Sequence, residues 1–323
     1  MNTLPTTTTA PTVISTFSGC GGSSLGYRMA EFKELLAIEW ESNSVQTFKS
    51  NFPDVPVWQK NIAAVSTDEI LSFCQIKRGE LDVFDGSPPC QGFSTAGKRQ
   101  VNDPRNNLFK EFVRLVDGLQ PKVFLMENVS GMVKGKMRGR FIEIMTGLKS
   151  LNYNVKCQLM NTANYGVPQS RRRLIWIGVR KDFNVIPSFP QPTGKIITVQ
   201  EALQNLIITE PREIPGITTI KKVLLKCREG ETGAKYNNGK YFNCQRIARH
   251  KPCPTITKTA CLFHWVENRY LTIQELKRLA GFPDDFQFLG THKEQWARIG
   301  NAVMPPFMRA LAEHIKKEIL ANT

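Results

Sequence analysis

Apolar and polar positions alternate along the first half of the chain in a way that predicts strands and helices by turns. Residues 13–17 read as a strand, followed by glycines and a helix from about Ser23 to Phe32. Residues 35–39, 81–85 and 122–127 read as further strands, the last preceded by an amphipathic helix over 108–119. Residues 155–161 and 173–179 add two more. Strands alternating with helices predict an α/β fold with a mostly parallel sheet covered on both faces. In such sheets ligands gather at the carboxyl ends of strands, near the point where strand order reverses. From 183 to 268 the pattern turns irregular and rich in Pro, Gly and Lys. Regularity returns at Thr272, an N-cap with Glu275 three residues on, and a last helix is expected over 306–320. There is no internal repeat.

With 323 residues, 41% of them hydrophobic, the chain can bury one large core, or a core plus a smaller lobe. Its formal net charge is +15, which points to a polyanion, either nucleic acid or an anionic membrane. No apolar run is long enough to span a bilayer. Residues 1–11 are rich in Thr and lack the order of a secretion signal. They read as a disordered leader of a cytoplasmic protein whose eight cysteines stay reduced. Between 221 and 258 there are ten Lys or Arg against two Glu, which places +8 of the charge in that stretch. Lys134, Lys136, Arg138 and Arg140 form a second basic cluster. Cys244, His250, Cys253, Cys261 and His264 are spaced too irregularly for a zinc template, so no metal is expected.

Five motifs stand at predicted strand ends. Gly19-Cys20-Gly21-Gly22 opens a helix and permits close backbone approach to a ligand, although Ser24 breaks the GxGxxG spacing; such turns are also common as plain packing. Glu39-Trp40 offers an acid for a ribose diol and an indole for a base, or else a surface acid and a core Trp. In Gly86-Ser87-Pro88-Pro89-Cys90-Gln91, two prolines stiffen the chain before a thiol, which suits a nucleophile; a buried structural Cys is the plainer reading. Glu127-Asn128-Val129 places a carboxyl group at the sheet's edge, as a proton donor or a helix cap. Gln169-Ser170-Arg171-Arg172-Arg173 puts Arg171 and Arg173 on one strand face, suited to a phosphate or a base carbonyl, or simply to solvent.

Taken in order, these motifs resemble the bacterial and viral cytosine-C5 DNA methyltransferases from about Val13 to Ile319. Further signatures are Phe17-Ser18 before the glycines, Arg269-x-Leu271-Thr272-x-x-Glu275 and Gly300-Asn301-Ala302-Val303. The resemblance implies a Rossmann-like, S-adenosylmethionine-dependent fold with a small, irregular target-recognition domain. Residues 12–182 would form the catalytic and cofactor-binding domain, 183–268 the recognition domain, and 269–323 a segment returning to the first.

The resemblance also implies the site. The Cys90 thiolate adds to cytosine C6, Glu127 engages N3, Arg173 reaches O2 beside Arg171, and Asn128 fixes the active-site loop that Gln91 enters. S-adenosylmethionine is expected against Phe17, the backbone of Gly19, Cys20, Gly21 and Gly22, Glu39, Trp40, Asn61, Ile62, Leu108, Asn301 and Ala302. The family usually has Asp where this chain has Asn61, which implies weaker cofactor binding. The partner is double-stranded DNA, its target base flipped out; the protein is expected to be a monomer, and a cognate restriction endonuclease is a candidate partner that the sequence itself does not reveal. Pro254-Thr255-Ile256-Thr257 resembles the short signature near the end of the recognition region. An RNA-modifying relative is a second reading, but that branch carries Cys-Phe-Thr where this chain has Cys261-Leu262-Phe263. A catalytically dead relative is a third, opposed by the presence of Cys90, Glu127 and Arg173.

Overall fold

The computed structural model describes residues 10–89, 108–133, 138–208, 218–258 and 261–323. Cys90, Gln91, Lys134 and Lys136 lie outside the described residues. The first part runs β1 (Thr12–Thr16), α1 (Gly22–Met29), β2 (Lys33–Glu39), α2 (Ser42–Asn51), β3 (Val57–Gln59), α3 (Thr67–Cys74), β4 (Val83–Gly86) and α4 (Leu108–Leu119). It continues as β5 (Val123–Val129), α5 (Arg138–Lys149), β6 (Tyr153–Asn161), β7 (Gln169–Ser170) and β8 (Arg172–Arg180). Seven strands make one sheet in the order β3-β2-β1-β4-β5-β8-β6. β3, β2, β1, β4 and β5 run parallel, whereas β8 is antiparallel to both β5 and β6. Strand order reverses beside β1, which has β2 on one side and β4 on the other.

Period-two alternation sends side chains to the two faces of the sheet. Val13, Val83 and Leu125 join one core with Tyr27, Phe307 and Met308. Their neighbours Ile14, Phe84 and Phe124 join the opposite core with Phe112, Leu115 and Ile144. α4 spans the residues that its amphipathic pattern predicts. The short β3 and β7 and helices α2, α3 and α5 carry weaker patterns and were not expected.

The irregular segment holds α6 (Val199–Ala202), α7 (Thr219–Lys226), β9 (Cys244–Arg246), β10 (Cys253–Pro254) and β11 (Cys261–Phe263). β9 pairs with β11, while β10 pairs with β7. Leu224, Cys244 and Phe263 form a small core of their own. Val199, Ile247, Cys253 and Ile256 instead pack into the larger core shared with the sheet. Then come α8 (Ile273–Leu279), α9 (His292–Asn301) and α10 (Pro305–His314). The expected last helix is interrupted: a π-helical turn over Ile315–Ile319 follows α10.

α10 lies on α1 so closely that a Cβ on Gly26 would come within 2.5 Å of Met308 Cβ, which explains that glycine. The Arg269…Thr272…Glu275 signature is a structural clasp. Thr272 and Glu275 close a capping box, and Arg269 Nη1 donates to the buried Glu275 carboxylate at 2.8 Å. Among the described residues, no helix is long and apolar enough to cross a membrane, and no three His, Cys, Asp or Glu side chains are grouped to hold a metal ion.

Candidate active site

The carboxyl ends of β1, β2, β4 and β5 meet at one edge of the sheet. β4 ends at Gly86, which is packed so tightly that a Cβ would stand 2.6 Å from Thr16 Oγ1 and 2.7 Å from the Phe112 ring. From there Ser87, Pro88 and Pro89 lead to Cys90. Beside them, at the end of β5, Asn128 is 4% exposed and donates from Nδ2 to the Pro88 carbonyl at 3.1 Å. Its Oδ1 accepts from its neighbour Val129 N at 2.8 Å, so both ends of the amide are engaged.

Glu127 sits one residue earlier. Across the antiparallel β5–β8 pair, Arg173 lies opposite Val129, two residues from Glu127 on the same face. Such diagonal neighbours are within reach of long side chains. Arg173 Nε contacts Glu127 Oε1 at 2.7 Å, with both side chains nearly enclosed. Burial lowers the Arg173 pKa and the Glu127 carboxylate raises it; an arginine stays charged through such shifts. Arg171 stands in the break between β7 and β8 and is 5% exposed. Burial lowers its pKa, reinforced by the nearby Arg173 and opposed by Glu127. The two arginines and the acid therefore form one charged group, as the alternation of the run predicts. Arg171 Nη1, however, donates to the Ile256 carbonyl at 2.9 Å.

Gln169 explains its own place in the run. Its side chain is fully buried, and Oε1 accepts from Ile256 N at 3.1 Å. Thr255 Oγ1 donates to the Ser170 carbonyl at 2.9 Å. The Pro254-Thr255-Ile256-Thr257 segment is thus laced to the entry of β8. A Cβ on Gly300 would lie 2.5 Å from the Thr257 carbonyl carbon, so the C-terminal segment closes on the same place.

The other end of the edge is built by glycines. Phe17, at φ 54°, and Gly19 and Gly21, at φ 55° and 92°, turn the chain out of β1 and into α1. A non-glycine residue in the left-handed region costs on the order of 1 kcal/mol or more, and such strain concentrates at ligand sites. A Cβ on Gly21 would strike the Phe52 ring at 2.3 Å and one on Gly22 the Val303 carbonyl at 2.2 Å, whereas Gly19 faces open space. Glu39 Oε2 accepts from Gly19 N at 2.8 Å, and Oε1 accepts from Trp40 N and Glu41 N at 2.9 and 2.8 Å. Burial raises the Glu39 pKa against those donors. Trp40 is 70% exposed, so it is no core residue.

Cys20 turns inward, and burial pushes its thiol up to about 12, so only its backbone borders the turn. Asn61 is exposed, and its Oδ1 caps the turn that follows by accepting from Ala63 N at 3.1 Å. Ile62 is buried, and Leu108, at the start of α4, packs partly against the same core. Ala302 is buried beside Gly22, while Asn301 is exposed.

Two members of this edge escaped the sequence reading. Arg298 on α9 reaches back to Glu41, its Nη2 lying 2.6 Å from Oε1, and ties the C-terminal segment to the end of β2. Asp85, 2% exposed, interrupts an otherwise apolar strand. A lone acid among apolar strand residues was the available signal.

The profile of the family described as C-5 cytosine-specific DNA methylase matches residues 11–317. The chain is similar to the type II methyltransferase M1.HphI of Haemophilus parahaemolyticus, 38% identical with 95% of this chain and 87% of that one covered. It is also similar to the type II methyltransferase M.DdeI of Desulfomicrobium norvegicum, 31% identical over 94% of this chain and 88% of that one. A solved structure of a prophage-encoded Escherichia coli protein, proposed to be a DNA modification methyltransferase, superposes with a TM-score of 0.80 at 25% identity. That superposition covers 96% of this chain and 99% of the other.

Proposed function

The chain belongs to the C-5 cytosine-specific DNA methylases and transfers a methyl group from S-adenosylmethionine to carbon 5 of cytosine in DNA; on that premise we propose that it works through a covalent adduct between Cys90 and cytosine C6. The observation that carries this reading is the Glu127–Arg173 pair at the end of β5, next to the ledge that leads to Cys90. Cytosine C5 is too weak a nucleophile to take a methyl group unaided. Addition of the Cys90 thiolate to C6 makes C5 enamine-like, with Glu127 meeting N3 and Arg173 meeting O2, so that the added charge is stabilised. A free thiol has a pKa near 8.5, and the arginines supply local positive charge that favours the thiolate. Asn128 holds the Pro88 carbonyl and so fixes the approach to Cys90 and Gln91. Once C5 carries the transferred methyl group, its methyl–sulfur bond broken, a base removes the C5 proton and the C6–sulfur bond breaks, which restores the C5–C6 double bond and frees Cys90. The target base must leave the duplex for any of this to happen.

S-adenosylmethionine contributes an electrophilic sulfonium methyl group. The residues present fit it. Gly19 offers an open face, Trp40 an exposed ring, and the Glu39 carboxylate keeps one of its roughly four lone pairs beyond the three amides it accepts. We assign it to Phe17, the turn from Gly19 to Gly22, Glu39, Trp40, Asn61, Ile62, Leu108, Asn301 and Ala302.

Sequence choice is assigned to 183–268, which carries the basic stretch suited to phosphate contact, while one or a few of its side chains read base edges. Arg246 must be removed from that set. It is 6% exposed and donates to the carbonyls of Leu224, Cys227 and His264, so it holds the lobe together. The protein is read as a cytoplasmic monomer, with a cognate restriction endonuclease as a candidate partner.

DNA carrying 5-fluorocytosine at the target tests the mechanism. Fluorine cannot leave C5 as a cation, so elimination stalls with Cys90 still bound to C6. A denaturing gel should show a shifted protein–DNA band only with S-adenosylmethionine, and none for Cys90→Ser. Absence of the band at a site shown by bisulfite sequencing to be methylated would sink the covalent mechanism.

A further inference from the structure

A row of polar side chains crosses the buried face of the sheet beneath α1, where apolar residues would be expected. Ser15 on β1 stands in register with Asp85 on β4. On β2, Glu34 shares the face of Val13, its register partner, and accepts from Ser24 Oγ of α1 at 3.0 Å. Tyr27 of α1 descends onto the same row, its hydroxyl facing Asp85. Ser15 and Tyr27 are fully buried, and Asp85 nearly so. Tyr27 and Ser23 lie within reach of Asp85, and Ser15 within reach of Glu34, yet among the described residues Ser15 Oγ, Tyr27 Oη and Asp85 Oδ1 have no partner in good hydrogen-bond geometry. Buried polar groups left without a partner are destabilising. Three of them converging from three adjacent elements have the chemistry of an internal water site, because a buried water typically makes about three hydrogen bonds.

The row joins the two halves of the active site. Asp85 is one residue before Gly86, on the strand that leads to Cys90. Ser23, Ser24 and Tyr27 belong to the helix that the cofactor turn opens. We propose that Asp85 is a positioning residue, a carboxylic acid bridged through an internal water to Ser15 and Tyr27, which locks the nucleophile's strand against the cofactor's helix. This rests on the placement of Cys90 and the cofactor given above. Reacting atoms must meet at about 3–3.5 Å, and a misplacement of 1 Å can cost about 100-fold in rate.

The surroundings favour the protonated acid. Asp85 is faced by Glu34 from β2, Tyr27 and Ser23 from α1, and Glu127 from β5. Burial, then the negative charge of Glu34, holds its carboxyl far above the usual range.

The test compares Asp85→Asn, Asp85→Leu and Tyr27→Phe, using plasmid DNA with a site mapped by bisulfite sequencing. Asp85→Asn keeps a neutral donor and acceptor and should methylate within roughly threefold of the wild type. Asp85→Leu should slow single turnover at saturating S-adenosylmethionine by about 10- to 100-fold with the melting temperature held. The infrared difference between wild type and Asp85→Asn at neutral pH should show the carbonyl band of a protonated carboxyl group. An Asp85→Leu enzyme as fast as wild type, an Asp85→Asn enzyme as slow as Asp85→Leu, or the absence of that band would overturn the proposal. Should Asp85→Leu fail to fold, Tyr27→Phe decides: it removes one hydroxyl from the row and should slow single turnover several-fold, and an unchanged rate overturns the proposal. Failure of the covalent mechanism would instead appear in the wild-type protein, as a missing trapped complex.

Discussion

The sheet edge at Glu127 and the lobe around Arg246 both bury a guanidinium group, and they neutralise it differently. Arg173 meets one carboxylate from a neighbouring strand. Arg246 is surrounded by carbonyl oxygens of its own lobe, with the Asn268 side chain added at 2.8 Å. A charge balanced by a single opposite charge at the sheet's carboxyl edge remains free to trade that partner for a ligand. A charge saturated by backbone carbonyls is committed to the fold. Both arginines come from basic stretches of sequence, so composition alone could not separate them.

That contrast breaks most sharply at Glu127. Glu127→Gln should cut the single-turnover rate by about 10²–10⁴-fold, the usual contribution of general acid–base catalysis, while DNA affinity stays nearly unchanged. An unaltered rate would make Glu127 as structural as Arg246. Arg246→Met should do the reverse. Several carbonyls would lose their donor, at about 1.5–3 kcal/mol for each bond to a charged group and less than additively. The lobe should open to protease at lower denaturant while the 5-fluorocytosine trap still forms at low temperature. Weaker DNA binding with unchanged stability would return Arg246 to the phosphate-binding set.

Smaller effects sharpen the same comparison within the sheet. Burial pushes the Glu34 carboxyl up to about 7, from 4.5. Between those values the folded protein binds more protons than the unfolded chain, so stability falls as pH rises through this window. Melting temperatures should decline by a few degrees from pH 5 to pH 8, and Glu34→Gln should flatten that decline; an equal slope in the variant would place the titrating group elsewhere. Asn61→Asp should be the mildest change. An anionic acceptor strengthens a hydrogen bond to the adenine amino group, by about 1 kcal/mol. Calorimetry showing equal or weaker S-adenosylmethionine binding would remove Asn61 from the adenine's surroundings.

The order of motifs in the sequence points to one edge of the sheet. Gly19 to Gly22, Glu39-Trp40, Glu127-Asn128 and the Gln169 to Arg173 run are each local, and each falls at a strand end that period-two alternation predicts. The Thr272–Glu275 box was legible because a capping box is closed within one turn of helix. The interrupted last helix was not, because Phe307, Met308, Leu311, Ala312, Ile315 and Ile319 keep α-helical spacing straight through it.

What the sequence by itself determined is therefore the set of elements and the chemistry each carries, since helix, strand and turn preferences act over a few residues. Only the tertiary structure decided which charges meet. Arg173 finds Glu127 because β8 inserts antiparallel beside β5. Gln169 is spent on Ile256, 87 residues away, because β10 joins β7. Ser15 and Asp85, 70 positions apart, stand side by side because β1 and β4 are neighbours. Electrostatic and hydrogen-bonding partners are chosen by distance in space, and the strand order that sets those distances follows from burying both faces of the sheet at once.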